Sequence, residues 1–218
     1  MRTAGANLPI CQPGSLPACQ SASSYKSWPT ACGNWQIGEA DEKLDLSGAH
    51  LSYGDFEEAT FQAKGAIKLN GAGLAHADLS GSEFNATGGG RHESYSAYID
   101  FTEANLANAD LSGSKLTAAG YGDAFIGFTE ANLANADLSG SKLTADGGFG
   151  NSLIDLSEAD LTNADLSGSE LTAITTGNYG ASTIDFTDAI LDQADMSGST
   201  LTADSVVGLP SSPPVPPP

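Results

Sequence analysis

Carboxylates are the most frequent chemically competent groups in this chain, and they recur in fixed surroundings. Asp78, Asp110, Asp137, Asp165 and Asp195 each follow an alanine and precede Leu or Met, in versions of the phrase Ala-Asp-Leu-Ser-Gly-Ser. A second set, Glu103, Glu130, Glu158 and Asp188, recurs seven residues earlier in its own copies of the phrase. Carboxylates can serve as an acid–base pair, as ligands for a hard cation, or as a negative surface. Acid–base work needs two carboxyls whose environments push their proton affinities apart. Calcium needs six to eight oxygens that converge. An evenly repeated row supplies neither, so the sequence assigns no catalytic pair and no metal site. His50, His76 and His92 fall at unrelated points and form no Ser-His-Asp grouping. Gly88-Gly89-Gly90 lacks the Lys-Ser/Thr of a phosphate-binding loop. The sequence therefore reads as a non-enzyme without a cofactor.

The elements that must carry these rows follow from a period of five. Large apolar residues stand at Leu46, Leu51, Phe56 and Phe61, then at Leu69, Leu74, Leu79 and Phe84. Four further sets begin at Phe101, Phe128, Leu156 and Phe186. Five matches neither a helix nor a flat strand. It suits a chain that turns a corner every five residues and points one large side chain inward per side. Two residues before a large one there is usually a small one, such as Ala104, Ala109 and Ser114. A close-packed, narrow interior has room for one of each per side. The Asp or Asn just before the large residue (Asn105, Asp110, Asn132, Asp137, Asp160, Asp165) has a short side chain suited to hydrogen-bonding the backbone of a turn.

These residues resemble the pentapeptide-repeat family, whose motif reads A-(D/N)-L-X-X, from Leu44 to Asp204. The resemblance implies an all-β fold, a right-handed quadrilateral β-helix, here of about six coils. First-side residues Leu46, Leu69, Phe101, Phe128, Leu156 and Phe186 are spaced by 23, 32, 27, 28 and 30 residues, not the regular twenty of the family. Each coil thus carries an insertion on one edge after its fourth side, starting at Gln62, Asn85, Thr117, Thr144 and Thr172. Each ends in a re-entry column, Ile67, Ile99, Ile126, Ile154 and Ile184. Insertions on one face of a repeat protein often mark a binding face, and loop tips also tolerate neutral change. These are Gly-rich and carry Tyr95, Tyr98, Tyr121, Phe125, Phe149 and Tyr179, a candidate interaction ridge for a protein or a glycan. The other reading is that these aromatics pack on one another and shield the ladder. The Thr column Thr117, Thr144, Thr172 and Thr202 is read as the start of irregular loops.

Composition bounds the partners. The chain has 218 residues with a net charge of −19. Direct nucleic-acid binding and association with anionic membranes both need clustered Lys and Arg, and are disfavoured. No apolar run reaches the eighteen residues of a membrane span. No apolar secretory segment follows Met1, so the sequence reads as an intracellular chain or as a mature form. Residues 1–43 lie outside the repeats and read as an irregular cap, with Trp35 and Ile37 expected to plug the first coil. They hold Cys11, Cys19 and Cys32, candidate disulfide partners in an oxidising compartment and three reduced thiols otherwise. Residues 205–218 read as a last partial strand and a stiff Pro-rich tail. Asn85-Ala86-Thr87 is a candidate glycosylation triplet at the start of the longest loop.

Two functional classes follow. One is a structural or adhesive module, extracellular or at the cell surface, that assembles end to end into a filament. The other is a protein-interaction regulator. Some members of the resembled family present an acidic face similar to duplex DNA and bind DNA gyrase, which gives the Asp78 to Asp195 row a candidate role. They end in a dimerising module, whereas this chain reads VVGLPSSPPVPPP. Turn chemistry plus solubility is the competing reading of the row. The cytoplasm or a plastid lumen, where the family has members of unknown role, is the alternative compartment.

Overall fold

In the computed structural model, which describes residues 36–37, 43–88, 96–177 and 180–210, every regular element is a β-strand. They are β1 (Gln36–Ile37), β2 (Leu44–Asp45), β3 (Thr60–Lys64), β4 (Ala66–Lys68), β5 (Glu83–Thr87), β6 (Ala97–Asp100) and β7 (Lys115–Ala119). They continue with β8 (Ala124–Gly127), β9 (Lys142–Asp146), β10 (Ser152–Asp155), β11 (Glu170–Ile174), β12 (Ser182–Asp185), β13 (Thr200–Thr202) and β14 (Ser205–Val207). Odd-numbered strands form one parallel seven-stranded sheet and even-numbered strands another, each in chain order. Two narrower sides complete the circuit through single-residue parallel bridges. One runs His50, Gly73, Asn105, Asn132, Asp160, Ile190, and the other Asp55, Asp78, Asp110, Asp137, Asp165, Asp195. The architecture is a four-sided β-solenoid.

The corners explain the period. After each large residue of the first three sides, the amide three positions on donates to its carbonyl: Ala104 to Phe101 at 2.9 Å, Ala109 to Leu106 at 2.9 Å, Ser114 to Leu111 at 3.0 Å. The residue before the donor takes positive φ, +58° at Glu103, +58° at Asn108 and +62° at Gly113. This is the hydrogen bond and dihedral of a type II turn, which favours Gly or Asn at that place. The polar residue before the large one then accepts from the amide two residues on. Thr102 donates to Asp100 Oδ1 at 3.0 Å, Ala107 to Asn105 Oδ1 at 3.2 Å and Ser112 to Asp110 Oδ1 at 2.9 Å. One pentapeptide is therefore one side plus one self-capped corner.

Large residues form continuous inward columns. Phe61 stacks on Phe84 with centroids 4.2 Å apart, and Phe101 on Phe128 at 5.0 Å. The re-entry column Ile67, Ile99, Ile126, Ile154 and Ile184 is fully buried. Each such side chain contributes about 1.5–3 kcal/mol relative to exposure.

The insertions begin later than the sequence suggested. Gln62, Asn85, Thr117, Thr144 and Thr172 stand inside β3, β5, β7, β9 and β11. The reason is a second inward column, Ala63, Ala86, Ala118, Ala145 and Ala173, all buried two residues past the large one. That alternation extends the fourth side by half a strand. The Thr column is thus part of an ordered sheet, not the opening of irregular loops. Asn85 likewise lies in a central strand, its amide 3.5 Å from Glu83 Oε2. β1 shows that the segment before residue 44 contributes a paired strand, Gln36–Ile37 against Thr60–Phe61. Trp35 lies outside the described residues.

Candidate functional site

Three surfaces have the chemistry to engage a partner: the aspartate column, the insertion stack and the two ends. In the aspartate column each carboxylate commits one oxygen to its own corner. Asp78, Asp110, Asp137, Asp165 and Asp195 accept from the amides of Ser80, Ser112, Ser139, Ser167 and Ser197 at 2.8–3.0 Å. Asp55 belongs to the same column, with a longer bond of 3.4 Å from the Glu57 amide. The sequence reading missed it because Gly54, not Ala, precedes it. A further column, Asp45, Lys68, Asp100, Gly127, Asp155, Asp185, was also missed. Its acids sit in the re-entry strands, outside the A-(D/N)-L phrase. The Ser197 amide, and then its hydroxyl, hold the Asp195 carboxyl below the usual carboxylate range. The Ser47 hydroxyl and then its amide do the same for Asp45, against the opposing effect of burial and with a lesser contribution from the Lys68 charge. Among the described residues no three His, Cys, Asp or Glu side chains gather in a way that could hold a metal ion.

The insertions stack on one another in register. The Phe149 amide donates to the Tyr121 carbonyl at 3.0 Å, and the Thr176 and Gly177 amides to the Gly148 carbonyl at 2.9 and 2.7 Å. Side chains add to this: the Asn151 amide donates to Asp123 Oδ1 at 2.8 Å and the Ala181 amide to Asn151 Oδ1 at 3.0 Å. The glycines permit the approach. A Cβ on Gly148 would lie 2.7 Å from the Gly120 carbonyl oxygen, and one on Gly177 would lie 2.8 Å from the Phe149 Cα. The stack is a fifth ladder built without a fixed repeat length.

The aromatic residues of the expected ridge divide. Tyr98 and Phe125 are half-buried strand residues of β6 and β8, with ring centroids 6.4 Å apart. The Phe125 ring folds over Gly127, which leaves no room for a side chain there. Tyr121 and Phe149 lie on the insertion stack, adjacent in the ladder and 71 % and 67 % exposed. Tyr95 and Tyr179, with Cys11, Cys19, Cys32 and His92, fall outside the described residues. His76 stacks on Tyr53 at a corner, 4.7 Å between centroids, and His50 stands on the next side, so the structure does not bring them together.

The C-terminal end presents apolar surface. Val206 and Val207 of β14 are 39 % and 38 % exposed, and Ile190 is 48 % exposed. Leu191, Met196 and Leu201 are half-buried, whereas Leu161, Leu166 and Leu171, one coil below, are buried. Among the described residues, β13 and β14 are sheet edges, and Ile190 and Asp195 end their columns.

A family model described as Pentapeptide repeats matches the chain at residues 97–119 and 153–173, in eight copies. No curated protein matches it. Among solved structures the chain is similar to a pentapeptide repeat protein from the thylakoid lumen of Arabidopsis thaliana, at 21 % identity and a TM-score of 0.25, covering 72 % of this chain and 66 % of that one. It is similar to HetL, a pentapeptide repeat protein involved in heterocyst differentiation regulation from the cyanobacterium Nostoc sp. strain PCC 7120, at 22 % identity and a TM-score of 0.22, covering 79 % and 86 %. It is also similar to QnrB1, a plasmid-mediated fluoroquinolone resistance protein, at 19 % identity and a TM-score of 0.21, covering 78 % and 89 %.

Proposed function

The chain is built of pentapeptide repeats, and from that premise we propose that it is a non-catalytic structural module that joins copies of itself end to end into a filament, outside the cell or at its surface. One observation carries the reading: the inward columns are open at the last coil, where Leu191, Met196 and Leu201 are only half-buried and Val206, which continues the buried Ile184 column, is 39 % exposed. A parallel ladder with an open edge accepts another strand by main-chain hydrogen bonding. Contacts between two different ends of one molecule do not close, and generate a fibre. The compartment rests on the sequence: cysteines confined to a Pro- and Ser-rich segment, the Asn85 triplet and the Pro-rich tail.

Direct electron imaging of untagged protein from its native source tests this. Continuous fibres with an axial repeat near the solenoid length are expected. Six steps of ~4.8 Å from β2 to β14 give that length as roughly 30 Å. Isolated short rods at every concentration would remove the filament.

A second reading has its own observation. The outward oxygens of six stacked aspartates and the exposed rings of Tyr121 and Phe149 are surfaces a regulatory partner protein could engage. Charge reversal at Asp110, Asp137 and Asp165 separates the two readings. It leaves fibres intact in the first and abolishes partner capture in the second.

A further inference from the structure

We propose that the end-to-end joint is made by an arm: the segment before β1 of one copy, residues 1–35, lies across a step at the C-terminal end of the next copy and completes its last circuit. The inference rests on the end-to-end reading and names the piece of chain that forms the contact.

The step follows from a count. Each sheet has seven strands, whereas the two narrow columns have six members and stop at Ile190 and Asp195. β13 and β14 follow those residues in the chain, so they stand half a circuit above the two narrow sides. Leu191 and Met196 are half-buried in the floor of this step. Leu51 and Phe56, on the same two sides of the first coil, are buried. The narrow sides are therefore open at one end of the rod and closed at the other.

The backbone of the step is open as well. One coil below, the amides of Leu161, Asn163, Leu166 and Gly168 donate to the carbonyls of Ile190, Asp192, Asp195 and Ser197 at 2.7–2.9 Å. The corresponding amides of the last coil, at Leu191, Gln193, Met196 and Gly198, have no acceptor among the described residues. An extended segment of about ten residues, two pentapeptides long, spans both sides and supplies those acceptors by strand addition. With it in place all four sides have seven members.

Chemistry and reach select the arm as the occupant. The chain that follows β14 is unsuited, because six of residues 208–218 are proline, which donates no amide. Residues 18–28 contain none. Residues 143–218 hold eleven Asp and Glu and no Lys or Arg, with Asp188, Asp192, Asp195 and Asp204 in the last circuit. Residues 1–35 hold Arg2 and Lys26 and no acid, so the two surfaces are of opposite charge. The eight residues from position 28 to β1 span at most about 29 Å. The chain's own step lies six ladder steps from β1, roughly 29 Å along the rod, which leaves no slack. The step of an end-on neighbour is adjacent to β1.

Zero-length cross-linking of the full chain tests the arm. Isotope-labelled and unlabelled protein are mixed before assembly, treated with a carbodiimide that joins amines to carboxylates, and digested for mass spectrometry. Cross-links from Lys26 to Asp188, Asp192 or Asp195 that pair a labelled with an unlabelled peptide are expected. Light scattering that shows assembly, with no such cross-link, overturns the arm and leaves end-to-end joining standing. Cross-links that never mix the two labels put the arm on its own copy and overturn it too. A monomer at every concentration overturns both readings. Sedimentation supplies a second measurement. Lys26→Glu is expected to weaken association about tenfold by setting like charges together. Lys115→Glu, on β7 in the middle of the odd sheet, is expected to leave it unchanged. Equal effects of the two variants overturn the proposal.

Discussion

At the residue scale, the inward and outward members of one pentapeptide differ sharply in what they contribute. Leu138 is buried in its column, and Asp137 beside it caps the corner through the Ser139 amide at 2.8 Å. Leu138→Asp places an unpaired charge in the core and is expected to cost more than about 4 kcal/mol. Asp137→Ala loses one turn hydrogen bond, about 1 kcal/mol. Urea titrations of the two variants check the contrast, and equal midpoints would remove the inward assignment. Ser82, Ser114, Ser141 and Ser169 are buried with hydroxyls that make no hydrogen bond. Ala occupies the same inward role at Ala104, Ala109, Ala131 and Ala136. Ser141→Ala is therefore expected to stabilise the chain by up to about 1 kcal/mol, seen as a higher melting temperature. Asp45 and Asp195 have lowered proton affinities when folded, so their stabilisation is present above the ordinary carboxylate value of 3.8 and is lost as pH falls through the lowered folded value. Melts between pH 7 and 5 should show no pH dependence from either group, because the stabilisation is fully present there. Below about pH 4 the loss should be smaller in Asp195→Asn than in the parent.

At the element scale, each coil contacts only the coils above and below, so stability is close to a sum of coil and interface contributions. Removing residues 128–155 joins Gly127 to Leu156 and sets Leu156 over Phe101, one step apart in the same column. The shortened chain is expected to keep its β-sheet circular dichroism and to unfold cooperatively at a lower temperature. Loss of the β signal would show that the coils are not interchangeable. The four sides and their inward columns were legible in the sequence, because a turn every five residues leaves a fixed phrase. The half-strand extension was not taken from it, although Leu116-Thr-Ala118, Leu143-Thr-Ala145 and Leu171-Thr-Ala173 carry a period of two. A five-residue template stops at the leucine and hides it. The insertion stack left less trace still. Its bonds join residues 28 to 30 apart, as in Asn151 to Asp123 and Ala181 to Asn151, through loops of unequal length. Glycine content signals close approach, but it does not say to what.

At the scale of the whole molecule, the inter-coil hydrogen bonds all point along the solenoid axis. A pull on the two ends along that axis loads the coils in series, and each bears the full tension alone. Rupture then proceeds by peeling one circuit at a time, not by shearing the whole rod at once. Each event exchanges an axial rise of ~4.8 Å for the contour of a released circuit. From Phe128 to Leu156 that circuit is 28 residues, or roughly 100 Å at full extension. A thread of such units would lengthen about twentyfold where it yields. It would dissipate work in small, repeated steps and could rewind on the intact neighbouring coil when the load is released.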